Sequence, residues 1–162
     1  MKYSSLYKIL FEGVEESKEF IKSLTLGDVV DIANLAAVLS SNMDAGVRLN
    51  DDGVVEHGDG YRFGYDITVY GEDKDGEDND GEDKTWNGQK YFYIDRENGD
   101  IYSGDKVDNI NKLVPLNEGI KNPKEKVYKA LVHDIKNAVQ IGLIYITLSP
   151  EEIKELSVGS SN

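Results

Sequence analysis

The chain has no cysteine. That excludes a disulfide framework, a thiolate zinc site and a cysteine nucleophile, while leaving the redox compartment open. Long apolar runs are missing too. No stretch approaches the ~18 consecutive apolar residues of a membrane span, and the opening Met1-Lys2-Tyr3-Ser4-Ser5-Leu6 lacks the apolar core and small-residue cleavage site of a secretory signal. The expectation is a cytoplasmic protein that does not enter a membrane. Basic residues are also scarce: 18 Lys and Arg stand against 31 Asp and Glu, for a net charge of -13. Such a balance disfavours direct binding of nucleic acid or anionic lipid and favours a basic protein surface as partner. Oligomeric state is left open.

Catalytic signatures are the next absence. There is no P-loop, dinucleotide fingerprint, nucleophile elbow or HExxH motif. The only histidines, His57 and His133, fall in a predicted turn and on a predicted helix; Asp134 follows His133 but does not share its helical face. The sequence therefore predicts a protein that is not an enzyme, with no catalytic residues, no cofactor and no metal.

What is present is enough for one domain. The 162 residues suffice to bury a core without staples, and ten Tyr, four Phe and regular apolar runs argue against wholesale disorder. Apolar residues at Tyr3, Leu6, Tyr7, Leu10, Val14, Ile21 and Leu24 have helical spacing, interrupted near Gly13. Thr25 and Asp28 then have the spacing of a capping box, and Val29, Ile32, Ala33, Ala36 and Leu39 line one face of a second helix. In the middle of the chain the period drops to two. Tyr61, Phe63, Tyr65, Ile67 and Val69 alternate with polar or small residues, marking a half-buried strand. A preceding strand within 45–56 would join it through His57-Gly58-Asp59-Gly60. Residues 90–95 and 100–107 flank Asn98-Gly99, a two-residue hairpin signal.

The last third returns to helix, with Asn122 as cap, Pro123 at the first position and Val127, Leu131, Ile135, Ala138 and Val139 on one face. Gly142 is a candidate terminator. Leu143 to Leu148 suits a buried strand, although periodicity alone does not separate that from a continued helix. Ser149-Pro150-Glu151-Glu152 opens a short final helix, and residues 157–162 read as a frayed tail. The whole is a single α+β domain over 1–162, with helices packed on an antiparallel sheet of four or more strands.

Charge is concentrated. Residues 44–83 hold 14 acidic and 3 basic residues, whereas 85–162 hold 11 and 10. A five-residue repeat, Gly71-Glu-Asp-Lys-Asp, Gly76-Glu-Asp-Asn-Asp, Gly81-Glu-Asp-Lys, fills a predicted acidic loop at 71–84. Its carboxylates, Glu72, Asp73, Asp75, Glu77, Asp78, Asp80, Glu82 and Asp83, together with Asp59 and Asp66 on or near the strands, are the candidate partner-binding residues. Calcium is the obvious alternative for hard oxygen ligands. An EF-hand register fails, because aligning Gly81 or Gly76 with the loop glycine places Gly76 or Gly71 where the first Asp belongs. The runner-up function is nucleic-acid mimicry. Eight carboxylates over residues 72–83, extended at ~3.3 Å per residue, would lie about 5 Å apart, against ~3.4 Å between phosphates of one strand. A small-ligand or metal-ion binder stands third. Seven aromatics, Tyr61, Phe63, Tyr65, Tyr91, Phe92, Tyr93 and Tyr102, fall on the predicted sheet, and those left on an open face would make an acid-rimmed platform suited to a protein.

The first thirteen residues, Met1-Lys2, an amphipathic turn and then Leu10-Phe11-Glu12-Gly13, resemble the capsid-targeting peptide of proteins packaged in the heads of large contractile-tailed bacteriophages. In that family the prohead protease cuts after Leu or Ile, any residue, then Glu. Leu10-Phe11-Glu12 matches and Gly13 would follow the cut. The match covers under a tenth of the chain. It implies a phage-encoded, virion-associated protein working in the host cytoplasm or the virion, and bears on nothing beyond residue 13.

Overall fold

The computed structural model describes residues 18–71, 85–113 and 122–148, with Glu151, Glu152 and Glu155 beyond them. The acidic repeat, the Leu10 to Gly13 motif and the 157–162 tail lie outside the described residues, and so does most of the final helix expected from Ser149.

A helical turn at 18–22 leads to Thr25, whose side chain accepts from the Asp28 N–H while its own N–H donates to the Asp28 carboxylate at 2.9 Å. This reciprocal cap satisfies two end groups of the first full helix, α1 (Leu26–Ser40). α1 buries Val29, Ile32, Ala33, Ala36, Ala37 and Ser40; Leu39, expected on the same face, is instead 46% exposed. Six antiparallel strands follow: β1 (Ala45–Leu49), β2 (Val55–His57), β3 (Gly60–Tyr70), β4 (Thr85–Asp95), β5 (Asp100–Lys106) and β6 (Asn109–Leu113). The order is β1-β3-β4-β5-β6, with β2 beside β1 on the same edge of β3. α2 (Pro123–Thr147) closes the described chain, capped by Asn122 and led by Pro123 as its sequence requires.

Period-two alternation sorts the faces. Tyr61, Phe63, Tyr65, Ile67 and Val69 of β3, with Phe92 and Ile94 of β4, point to the helices and are almost fully buried. Phe63 stacks on Phe92 at 5.6 Å, and Tyr65 meets both rings edge-on at 5.8 and 5.7 Å. The Tyr65 hydroxyl donates to the Ala33 carbonyl of α1 at 2.6 Å, giving the one polar atom of this cluster a partner. Val127, Leu131, Ile135, Ala138 and Val139 of α2 complete the layer, as their spacing predicts.

Four expectations need correction. The strand expected within 45–56 is broken into β1 and β2, because the chain turns at residues 50–54 around Gly53, held at φ 65°. The hairpin at Asn98-Gly99 has a four-residue loop: Asp95 pairs with Asp100, and the Asp95 carboxylate accepts the N–H groups of Glu97 and Asn98. That local competition by Asp95 overrides the two-residue turn. The strand that would have run to Val107 stops at Lys106, where a tight turn at Val107-Asp108 starts β6, a strand the sequence reading missed. Finally, Leu143 to Leu148 is not a strand. α2 continues through Gly142 to Thr147, since that glycine lets the helix approach Trp86 and Val69 closely rather than ending it.

Candidate functional site on the open sheet face

The helices lie on one face of the sheet. Among the described residues nothing packs on the other, which carries the alternate side chains of β3 and β4: Gly60, Arg62, Gly64, Asp66 and Thr68 against Asp95, Tyr93, Tyr91, Gln89 and Asn87. Two glycines shape this face. A methyl added at Gly60 would come within 2.6 Å of Tyr93 Cζ, and one at Gly64 within 2.7 Å of Tyr91 Cδ1. Both rings therefore lie across β3, each over a glycine, and Arg62 sits between those glycines. The rings are also fixed at their tips. Tyr93 donates its hydroxyl to the His57 carbonyl at 3.0 Å, and Tyr91 donates to Gln89 Oε1 at 2.8 Å. Burial, then the charges of Asp95, Asp59 and Glu97 and the neighbouring Tyr102, holds the Tyr93 hydroxyl above the ordinary tyrosine range, so it stays a neutral donor.

The result is a cleft of about 330 Å³ whose lining includes His57, Arg62, Tyr91, Tyr93, Val107 and Ile110. Val107 is 44% exposed at its rim, and Tyr102 lies 6.3 Å from Tyr93 by ring centroids. A second groove of about 650 Å³ runs where β5 no longer pairs with β4, past Trp86, Gly88, Asp105 and Ile141. Near it Lys90, on the helix side, is held 3.3 Å from Asp134 and 3.5 Å from Asp105.

The sequence-nominated residues are dispersed. Asp66 is on the open face, ion-paired with Arg48 at 3.8 Å and accepting from Gln89 at 3.2 Å. Asp59 is in the β2-β3 turn, where its carbonyl accepts from Arg96. Seven residues of chain, roughly 23 Å at strand rise, separate the two, so they are not brought together. The eight carboxylates of residues 72–83 lie outside the described residues. His57 lines the open face while His133 is exposed on α2, on the other side of the sheet. The aromatics divide between the faces, with Tyr61, Phe63, Tyr65 and Phe92 inside and Tyr91, Tyr93 and Tyr102 outside.

Arg62 is the residue that reading by motif passed over. Its signal was the register of Gly-x-Arg-x-Gly on one strand against Tyr-x-Tyr on the next, legible only once the pairing is known. Among the described residues no group of three or more His, Asp or Glu is placed to hold a metal, and no helix is long and apolar enough to cross a membrane. Comparison of the chain with family models, with curated proteins and with solved structures finds no match in any of the three, so the geometry of this face carries the functional argument.

Proposed function

We propose that this is a non-enzymatic protein-binding or structural protein that presents the open, tyrosine-bearing sheet face to a protein partner, with the acidic 71–84 segment attracting a basic surface. The observation that carries the reading is the one-sided sheet: helices cover the face of Tyr65 and Phe92, whereas Tyr91, Tyr93, Tyr102, Val107 and Ile110 are left on the other. Ordered tyrosines with a polar tip and an apolar body suit a protein interface. The phage and virion part of the reading rests on Leu10-Phe11-Glu12-Gly13 alone. Mimicry of nucleic acid ranks second, because Asp59 and Asp66 stand far apart and Asp66 is ion-paired with Arg48.

The test is co-precipitation from the native host with mass spectrometry of partners, using three proteins matched for folding by circular dichroism. These are the wild type, the face variant Tyr102→Ser with Val107→Ser, and a chain with the eight loop carboxylates changed to Asn or Gln. A specific basic partner should be lost with the face variant, and should be retained only at low salt with the neutral loop. Undiminished capture by both variants would overturn the proposal.

A further inference from the structure

Arg62 is only partly exposed, and among the described residues its side chain has no ion pair, hydrogen bond or ring contact. This is unexpected in a chain of net charge -13, where an arginine has many carboxylates to choose from. The reason lies in its neighbours on the same face. Asp66 is engaged by Arg48 and Gln89. Asp95 is engaged by the N–H groups of Glu97 and Asn98 and by the Asn98 side chain at 2.9 Å. The immediate neighbours of Arg62 on this face of β3 are the glycines, so Asp95, diagonal on β4, and the more distant Asp66 are the carboxylates this face offers, and both are engaged elsewhere. The guanidinium, with five donors in a planar fork, is left in a cleft whose tyrosine walls are held by their own hydrogen bonds.

We propose that the cleft at Arg62 receives an aspartate or glutamate side chain of the protein partner, with an adjoining aromatic or large apolar side chain of that partner resting on Val107 and Ile110. This inference rests on the assignment of the open face as the interface and adds what occupies its centre. Charge complementarity selects the occupant. A partner that covered Arg62 without supplying an anion would bury an unpaired cation, which is strongly unfavourable, whereas a carboxylate accepts two parallel N–H bonds from the fork. Shape selects a protein side chain over a free small molecule. At about 330 Å³ the cleft is at the bottom of the range for ligand pockets and opens along a sheet face, so it would leave most of a ligand in water but suits one anchor within a broader contact. The pair also sets register: only a partner whose acid falls opposite Arg62 gains from docking there.

The experiment titrates the intact protein, labelled for NMR at arginine side chains and tyrosine rings, with three probes: acetyl-Phe-Glu-amide, acetyl-Phe-Gln-amide and phenylacetate. The glutamate peptide should bind weakly and shift Arg62 Nε–H together with the Tyr91 and Tyr93 rings; the glutamine peptide should bind at least tenfold less well. Arg62→Gln should abolish that preference, and Arg62→Lys, a charge without the fork, should keep part of it. Equal binding of the two peptides, or shifts confined to other residues, overturns the proposal. Phenylacetate binding as tightly as the glutamate peptide overturns it in favour of a free acid as ligand. The two readings are separable. If Tyr102→Ser with Val107→Ser abolishes capture of the native partner while Arg62→Gln leaves it intact, the interface stands and the carboxylate anchor falls.

Discussion

Gly142 of α2 lies directly over the indole of Trp86 on β4: a methyl group added there would come within 2.8 Å of Trp86 Cδ2 and 2.9 Å of Val69 Cγ2. Helix propensity alone predicts that Gly142→Ala would stabilise α2 by up to ~1 kcal/mol. The contact predicts the reverse. Overpacking a helix against a ring costs typically 1–3 kcal/mol, so a net loss of about 1 kcal/mol is expected by denaturant unfolding. Trp86 is the only tryptophan in the chain, so a shift in its fluorescence reports the displacement directly. A more stable variant with unchanged emission would refute the close contact.

Ser40 offers a gain instead. It is 1% exposed at the end of α1, and among the described residues its hydroxyl has no hydrogen-bond partner. Ser40→Ala removes a buried unsatisfied group and improves helix propensity, so stability should rise by about 1 kcal/mol. A measured loss would mean that the hydroxyl is satisfied in solution.

Tyr65 governs the alkaline limb. Burial raises its hydroxyl well above the ordinary tyrosine value of about 10. The folded state thus keeps the proton that the unfolded chain gives up: the stabilisation is full below about pH 10 and declines as pH rises further towards the folded value. Unfolding midpoints should fall above pH 10 in the wild type. Tyr65→Phe should lose about 1 kcal/mol at neutral pH with its bond to Ala33, and should show a shallower alkaline decline. Parallel declines in the two proteins would assign the alkaline limb to other groups.

Lys90 and Asp134 join the sheet to α2 with side chains only 15% and 14% exposed, and among the described residues Asp134 Oδ2 makes no hydrogen bond despite the ion pair at 3.3 Å. Removing one partner strands the other. Lys90→Met alone should cost about 2 kcal/mol, somewhat below the ~3–5 of a fully buried pair, whereas Lys90→Met with Asp134→Leu should recover most of it. A double-mutant cycle tests this, and strictly additive losses would refute the coupling.

Much of the architecture was legible because it depends on local chemistry. The Thr25-Asp28 cap, the Asn122-Pro123 start and the alternation from Tyr61 to Val69 each involve residues a few positions apart, and each stands as read. The misreadings have several causes, some tertiary and some local. Gly142 reads as a terminator until Trp86 is beneath it, and Leu143 to Leu148 has no periodicity that distinguishes strand from helix. The break between β1 and β2 follows from a turn centred on Gly53, and β6 is a short, polar edge strand with little alternation to see. At the candidate site the tyrosines were visible as residues but Arg62 was not visible as a site. Its position between Gly60 and Gly64, and the commitment of Asp66 and Asp95 elsewhere, appear only when strands are set in register.

The strand order has a consequence for synthesis. Every pairing in the sheet joins strands close in sequence, so all six can zip together once residue 113 has left the ribosome. The helix that covers Phe92 and Ile94, however, begins only at Pro123 and ends at Thr147. Until that helix is made and released, a sheet that had already formed would carry part of its apolar face bare. That interval is when the chain most needs shelter from its neighbours, and a truncation before Pro123 would make it permanent.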